Sequence, residues 1–171
     1  MGRRYEPLHQ ILKSLSEEKG YSLIYQKEQL VFPNLNSMRV GLANTKIMIC
    51  FPQSFTHPEV TGGVETLTRR YLEGIGSGCV IFGKAPKELI DLSGYNPVVE
   101  IDTSNPASQI SQMLGDIESF DEKVNRNVKT LAKVGQWSQR INRIETAKRA
   151  MENCLRFYID KSHSRILWTP P

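Results

Sequence analysis

The sequence predicts an α/β fold in which a parallel sheet is covered by helices on both faces. Three observations carry this expectation. Uncharged apolar runs, IMICF at 47–51 and CVIF at 79–82, have the length of buried strands rather than of helices. Around them lie segments whose apolar residues recur at helical spacing. Glycine and proline punctuate each change from one type to the other. Strands that alternate with helices imply parallel pairing under two helical layers.

Taken in order, residues 5–19 read as a helix, because Leu8, Ile11, Leu12 and Leu15 keep the helical period and Gly20 stops it. The β-formers of YSLIYQ, 21–26, predict a strand, and residues 30–32 a second one ended by Pro33-Asn34. Asn36 or Ser37 is expected to cap a short helix reaching about residue 44. After the strand at 47–51 comes a long loop, Pro52 to Gly63, of a length that often carries function. A helix is expected from Val64 to about Ile75, then the strand at 79–82. Pro86 is expected in the first turn of a short helix over 87–92, followed by a strand at 98–101. Asn105-Pro106 opens a helix running to Leu114, and another is expected over 121–134. Trp137, Ile141, Ile144, Met151, Leu155 and Tyr158 then form an apolar stripe on a helix expected from about Ser138 to Ile159. Two roles stay open for that stripe: packing along its own domain, or reaching toward a partner domain or a membrane surface. The division expected is a domain over 1–134 and an appended amphipathic helix and tail over 135–171.

The chain has 171 residues, 39% hydrophobic and 23% charged, which suits one soluble domain with a sizeable core. No apolar run reaches the roughly 18–20 residues of a membrane span. Arg3 and Arg4 are not followed by the apolar stretch of a secretory signal. Cys50, Cys79 and Cys154 are odd in number and sit in apolar contexts, so reduced core thiols in a cytoplasmic protein are expected. The absence of a CxxC pair and the scatter of the three histidines argue against a zinc site. The net charge of +4 is read either as an ordinary surface or as attraction to nucleotide phosphates or the inner face of a membrane. Nucleic acid is not favoured, because no compact motif interleaves basic and aromatic residues.

The candidate site is the stretch from His57 to Gly83. Gly62 and Gly63 are expected to expose backbone N–H groups at a helix N-terminus, where the dipole favours an anion. On a helix that began at Val64, Thr66, Arg70 and Glu73 would fall at i, i+4 and i+7 and share one face. A hydroxyl, a cation and a carboxylate beside an anion-binding helix end suit a phosphorylated, polyhydroxylated ligand.

The segment ETLTRRYLEGIGSGCVIFG, 65–83, resembles the E-x7-E region of retaining glycosyltransferases with the GT-B fold. Glu73, Gly74, Gly76, Gly78 and the run 79–82 take the places of that family's second Glu, helix end and strand. Gly2-Arg3-Arg4 resembles the Gly-Arg that ends the first strand of the family's donor domain. The resemblance spans about residues 2–150. It implies a Rossmann-like domain, one half of a GT-B fold, that holds a nucleoside-diphosphate sugar. The implied activity is transfer of a hexose to a glycan or lipid-linked acceptor, with no cofactor and no metal. The acceptor would lie against an N-terminal acceptor domain or a partner chain. The alternative is a non-catalytic nucleotide or sugar-phosphate binding module, or the partner subunit of a split transferase.

The resemblance also implies roles. Glu65 and Arg3 would be the catalytic residues, Glu65 at the donor sugar and Arg3 on the diphosphate, where a guanidinium fork stabilises the leaving group. Glu73 would bind the ribose diol, to which one carboxylate can offer two acceptors. Gly62, Gly63, Thr66, Leu67, Thr68, Arg4 and His9 complete the expected donor-binding set. The family usually carries a Lys five residues after the Arg; here the position is Leu8, with His9 beside it. Plain alternatives stand beside these roles. Glu65 reads also as a helix-start residue, Glu73 as a surface partner of Arg69 or Arg70, Arg3 and Arg4 as surface charges, and His57 as a turn residue.

Overall fold

Residues Ile47–Cys50, Val80–Gly83 and Val99–Glu100 form three strands, β1, β2 and β3. The computed structural model of the chain describes residues 6–25, 31–135 and 145–152. The fold is mixed α/β and mostly helical, built on this small open sheet. All pairing is parallel, in the order β1-β2-β3, with Ile47 opposite Val80 and Phe82 opposite Val99. Between residues 6 and 134 it is accompanied by the α-helices α1 (Glu6–Lys19), α2 (Leu35–Ala43), α3 (Gln53–Thr56), α4 (Pro58–Thr61), α5 (Arg69–Gly76), α6 (Lys87–Ser93), α7 (Pro106–Gly115) and α8 (Asp121–Val134), with a 3-10 turn over Ile117–Phe120. The chain divides into two compact units, 1–131 and 132–171. In the second, residues 145–152 are helical and carry an exposed Lys148–Glu152 pair.

Successive strand residues point to opposite faces, and both faces are buried. Ile47, Ile49, Val80, Phe82 and Val99 join Leu8 and Leu15 of α1 and Ile110 and Met113 of α7 in one cluster. Met48, Cys50 and Ile81 join Tyr71 and Ile75 of α5 and Leu89 of α6 in the other. Two-sided burial is the physical reason that 47–51 and 79–83 carry no charge. Outside the sheet, Asn127 of α8 is 3% exposed and satisfied: Tyr95 Oη donates to its Oδ1 at 2.8 Å, and its Nδ2 donates to the Pro97 carbonyl at 2.9 Å. That network ties α8 to the segment leading into β3.

Two glycines set how closely the layers approach. A Cβ on Gly74 would stand 2.6 Å from both Ile81 Cδ1 and Met48 Sδ, so α5 lies directly on the sheet. Gly83 has φ 139°, and a Cβ there would stand 2.0 Å from the Cys50 carbonyl oxygen.

Several sequence expectations are corrected. Residues 21–25 are irregular, not a strand. Their side chains serve α1 instead: Tyr21 packs into the core cluster that contains Leu8 and Leu15, and the Tyr25 ring lies 4.5 Å from His9. The end of that expected strand at Gln26, and Leu30 of the next, lie outside the described residues. Residues 31–34 are bends, with Phe32 packed so closely on Gly41 of α2 that a Cβ there would stand 2.1 Å from its ring. The cap of α2 is Asn34, in a capping box with Ser37, rather than Asn36 or Ser37. The expected loop 52–63 contains two single helical turns, α3 and α4. Pro86 is the N-cap of α6 rather than a residue of its first turn. The largest correction is at 64–68, which has no regular secondary structure, so that α5 starts at Arg69. The backbone there is held from outside: the Lys87 N–H donates to Glu65 Oε2 at 2.6 Å, and the Leu67 N–H donates to Glu88 Oε2 at 3.2 Å. Of the helix expected over 138–159, residues 138–144 and 153–159 lie outside the described residues. Among the described residues no helix is long and apolar enough to cross a membrane.

These glycines make separable demands. Gly83→Ala meets both a forbidden φ and the Cys50 carbonyl, and is expected to cost about 3 kcal/mol of stability. Gly62→Ala, at φ 59° with open space around the new methyl, is expected to cost about 1 kcal/mol. Urea unfolding of both variants checks this, and equal losses would contradict the close approach at Gly83.

Candidate functional site

The three strands end at Cys50, Gly83 and Glu100, and in a parallel sheet these carboxyl ends share one edge. Helices α5, α6 and α7 each begin after a strand has left that edge. Ligands of open parallel sheets sit outside such an edge, where loops and helix N-termini converge. The three helix starts differ. Asn105 caps α7 by accepting from the Ser108 N–H at 3.4 Å. The first amide of α6 is taken by Glu65. The N-cap of α5, Thr68, makes no side-chain capping bond.

Arg70 and Glu73 lie one turn apart on α5. Both act on Cys50, the last residue of β1. Burial pushes the Cys50 thiol up to about 12, with the Arg70 guanidinium pulling it down and Cys79 and Glu73 adding to the rise. Arg70 is exposed and Glu73 half-buried. Neither side chain makes a hydrogen bond or salt bridge with a described residue, nor do they pair with each other. Tyr71, fully buried between them, donates from Oη to the Lys84 carbonyl at 2.6 Å. Its pKa is raised by burial first, then by Cys50 and Glu65, so it remains a neutral donor.

The loop after β1 brings further groups to the same edge. Phe51 and Phe55 stack with centroids 5.3 Å apart and planes at 12°. The Lys84 ammonium, on the first residue past β2, stands 4.9 Å from the Phe55 centroid. His57, between α3 and α4, has a buried Nδ1 without a hydrogen-bond partner.

The structure separates some of the residues the sequence had grouped. Thr66 lies in the irregular 64–68 segment, so it shares no helix face with Arg70 and Glu73. Gly62 and Gly63 adopt φ of 59° and 79° in an exposed turn, and the helix they were expected to start begins only at Arg69. Glu65 is exposed and anchors α6, while Leu67 packs on the core and Thr68 is the α5 N-cap. His9 is on α1 with its ring against Tyr25, and Leu8 is a core residue, 2% exposed. Arg3 and Arg4 lie outside the described residues. Lys84, Phe51 and Phe55 had not been singled out. Only the direction of the strands reveals them, since Phe51 and Lys84 directly follow a strand's carboxyl end and Phe55 lies in the helical turn that comes next after β1.

A cleft of about 270 Å³ lies at the other, amino edge of the sheet, lined by Lys46, Gly78, Val80, Glu118 and Asp121 among others. It gathers one cation and no aromatic ring, so the carboxyl edge is the better candidate on chemistry. Among the described residues no group of three or more His, Cys, Asp or Glu is arranged to hold a metal. Compared with known proteins, the chain matches no family model, no curated protein and no solved structure.

Two outcomes follow from this arrangement. Glu65→Ala removes the acceptor for the Lys87 amide and is expected to cost about 1 kcal/mol, the usual worth of a cap; thermal unfolding measures it, and an unchanged melting point would deny the clasp. Cys50 and Cys79, buried with raised pKa values, are expected to stay unlabelled by a maleimide at pH 7.5 until the chain is unfolded. Peptide mapping reads this, and native labelling of either at the unfolded rate would contradict the burial.

Proposed function

We propose that the chain is the Rossmann-like, donor-binding half of a glycosyltransferase, taking a nucleoside-diphosphate sugar at the carboxyl edge of its sheet. The reaction is transfer of the hexose to a glycan or lipid-linked acceptor. The observation that carries this reading is the pair Arg70 and Glu73, uncompensated by any described side chain, beside the end of β1. A guanidinium suits a diphosphate, and a carboxylate suits the two hydroxyls of a ribose. Glu65 keeps Oε1 for a sugar hydroxyl while Oε2 holds the Lys87 amide. The reading needs no cofactor. It calls for an acceptor domain or partner chain opposite the edge, and leaves room for contact with the inner face of a membrane through the stripe at 137–158.

A second reading is a non-catalytic module that holds a nucleotide or sugar phosphate. It is favoured by the use of Glu65 as an anchor for α6 and by Leu8 in the core where the resembling family has a lysine.

Titration calorimetry with uridine, uridine and guanosine diphosphates, and their hexose conjugates tests both readings. The diphosphates are expected to bind more tightly than the nucleoside, and Glu73→Gln to weaken diphosphate and conjugate alike by about 1.5–3 kcal/mol, the worth of a hydrogen bond to a charged group. Equal affinity for nucleoside and diphosphate would reject the site. Binding without transfer, even with an acceptor domain supplied, would select the second reading.

A further inference from the structure

We infer that Lys84 is a phosphate-binding residue of the carboxyl edge, held ready on the Phe55 ring until an anion takes its ammonium. This rests on the reading of that edge as a site for a phosphorylated ligand, and adds a residue that the sequence pattern did not suggest.

Both backbone groups of Lys84 are engaged at the edge. Its N–H donates to the Cys50 carbonyl at 3.1 Å, and its own carbonyl accepts from the buried Tyr71 hydroxyl at 2.6 Å. The preceding Gly83 is wedged against that same Cys50 carbonyl. The Cα of Lys84 is thereby fixed to the end of β1, the end of β2 and the first turn of α5. A side chain that leaves a fixed point on a rigid sheet delivers its charge to a defined region, which a loop lysine does not.

The charge itself is uncommitted. Lys84 is exposed and makes no salt bridge with any described residue. Lys87, three residues on, contrasts with it, since its ammonium is held by Asp91 at 2.5 Å. Glu65 and Glu88, which clasp the start of α6 to 65–67, each have an oxygen engaged by a backbone amide. What holds the Lys84 ammonium is the Phe55 face at 4.9 Å. A cation–π contact at an exposed site is weaker than a charge-assisted hydrogen bond to phosphate. An arriving phosphate therefore draws the ammonium off the ring at small cost. Arg70, which also makes no salt bridge with a described residue, stands in the first turn of α5 next to Tyr71, whose hydroxyl donates to the Lys84 carbonyl. The edge then presents two cations from two elements, as a diphosphate with two charged groups requires.

Calorimetry on the full chain with inorganic pyrophosphate, uridine diphosphate and uridine tests this. Lys84→Met keeps the aliphatic stem and is expected to weaken pyrophosphate and uridine diphosphate about 10-fold, leaving uridine unchanged. The affinity left to Lys84→Met should fall less steeply with salt, since one ionic contact is gone. Lys84→Arg should retain binding within about 3-fold, because the charge is kept. Lys129→Met, an exposed lysine of α8, should leave binding unaltered. Circular dichroism of Lys84→Met confirms that it folds. Undiminished pyrophosphate binding by Lys84→Met, or an equal loss in Lys129→Met, would overturn the inference. Should the wild-type chain bind pyrophosphate through Lys84 but uridine diphosphate no more tightly, the nucleotide reading fails while the anion site stands. Should it bind neither, both fall.

Discussion

A methyl group at position 83 would stand 2.0 Å from the carbonyl oxygen of Cys50, and the candidate site depends on that closeness. Because Gly83 admits it, the Lys84 amide can close the last hydrogen bond of the β1–β2 ladder. That bond orients the Lys84 carbonyl toward Tyr71, which pins the first turn of α5, and with it Arg70 and Glu73, beside the end of β1. Parallel pairing supplies the shared edge, and the glycine makes the edge tight enough to hold side chains in fixed relation.

The crossed bonds between 65–67 and the start of α6 act on the same region from the other side. Each of the two glutamates accepts from a backbone amide on the opposite segment, Glu65 from Lys87 and Glu88 from Leu67. A carboxylate at the first amide of a helix is favoured by the dipole and satisfies a donor that no intrahelical carbonyl can reach. The same bond consumes part of the hydrogen-bonding capacity that a ligand would use. Glu65 is thus structural through one oxygen whatever its other oxygen does. It also explains why Thr66 leaves the helix: five non-helical residues clasped between Gly63 and Arg69 cannot share a helical face with Glu73.

Much of the fold was legible in the residues themselves. The stripe of Leu8, Ile11, Leu12 and Leu15 defined α1, the uncharged runs defined β1 and β2, and Asn105-Pro106 marked the start of α7. The span of α8 was readable too, with Asp121 and Glu122 in its first turn and Lys133 in its last. These signals are local: periodicity, capping and dipole complementarity act within a turn or two.

The sequence by itself therefore determined the α/β alternation, the apolar character of the strands and the presence of Arg70 and Glu73 one turn apart. Tertiary structure alone decided the rest. Tyr21–Tyr25 has the composition of a strand, yet its rings are taken up against α1, and pairing with a sheet edge is a choice that composition does not make. The non-helical 64–68 segment is held by partners more than twenty residues away, beyond the reach of any helix propensity. The meeting of Lys84 with Phe55 follows from strand direction and order, because residues 29 apart in the chain become neighbours only when two parallel strands end on the same edge.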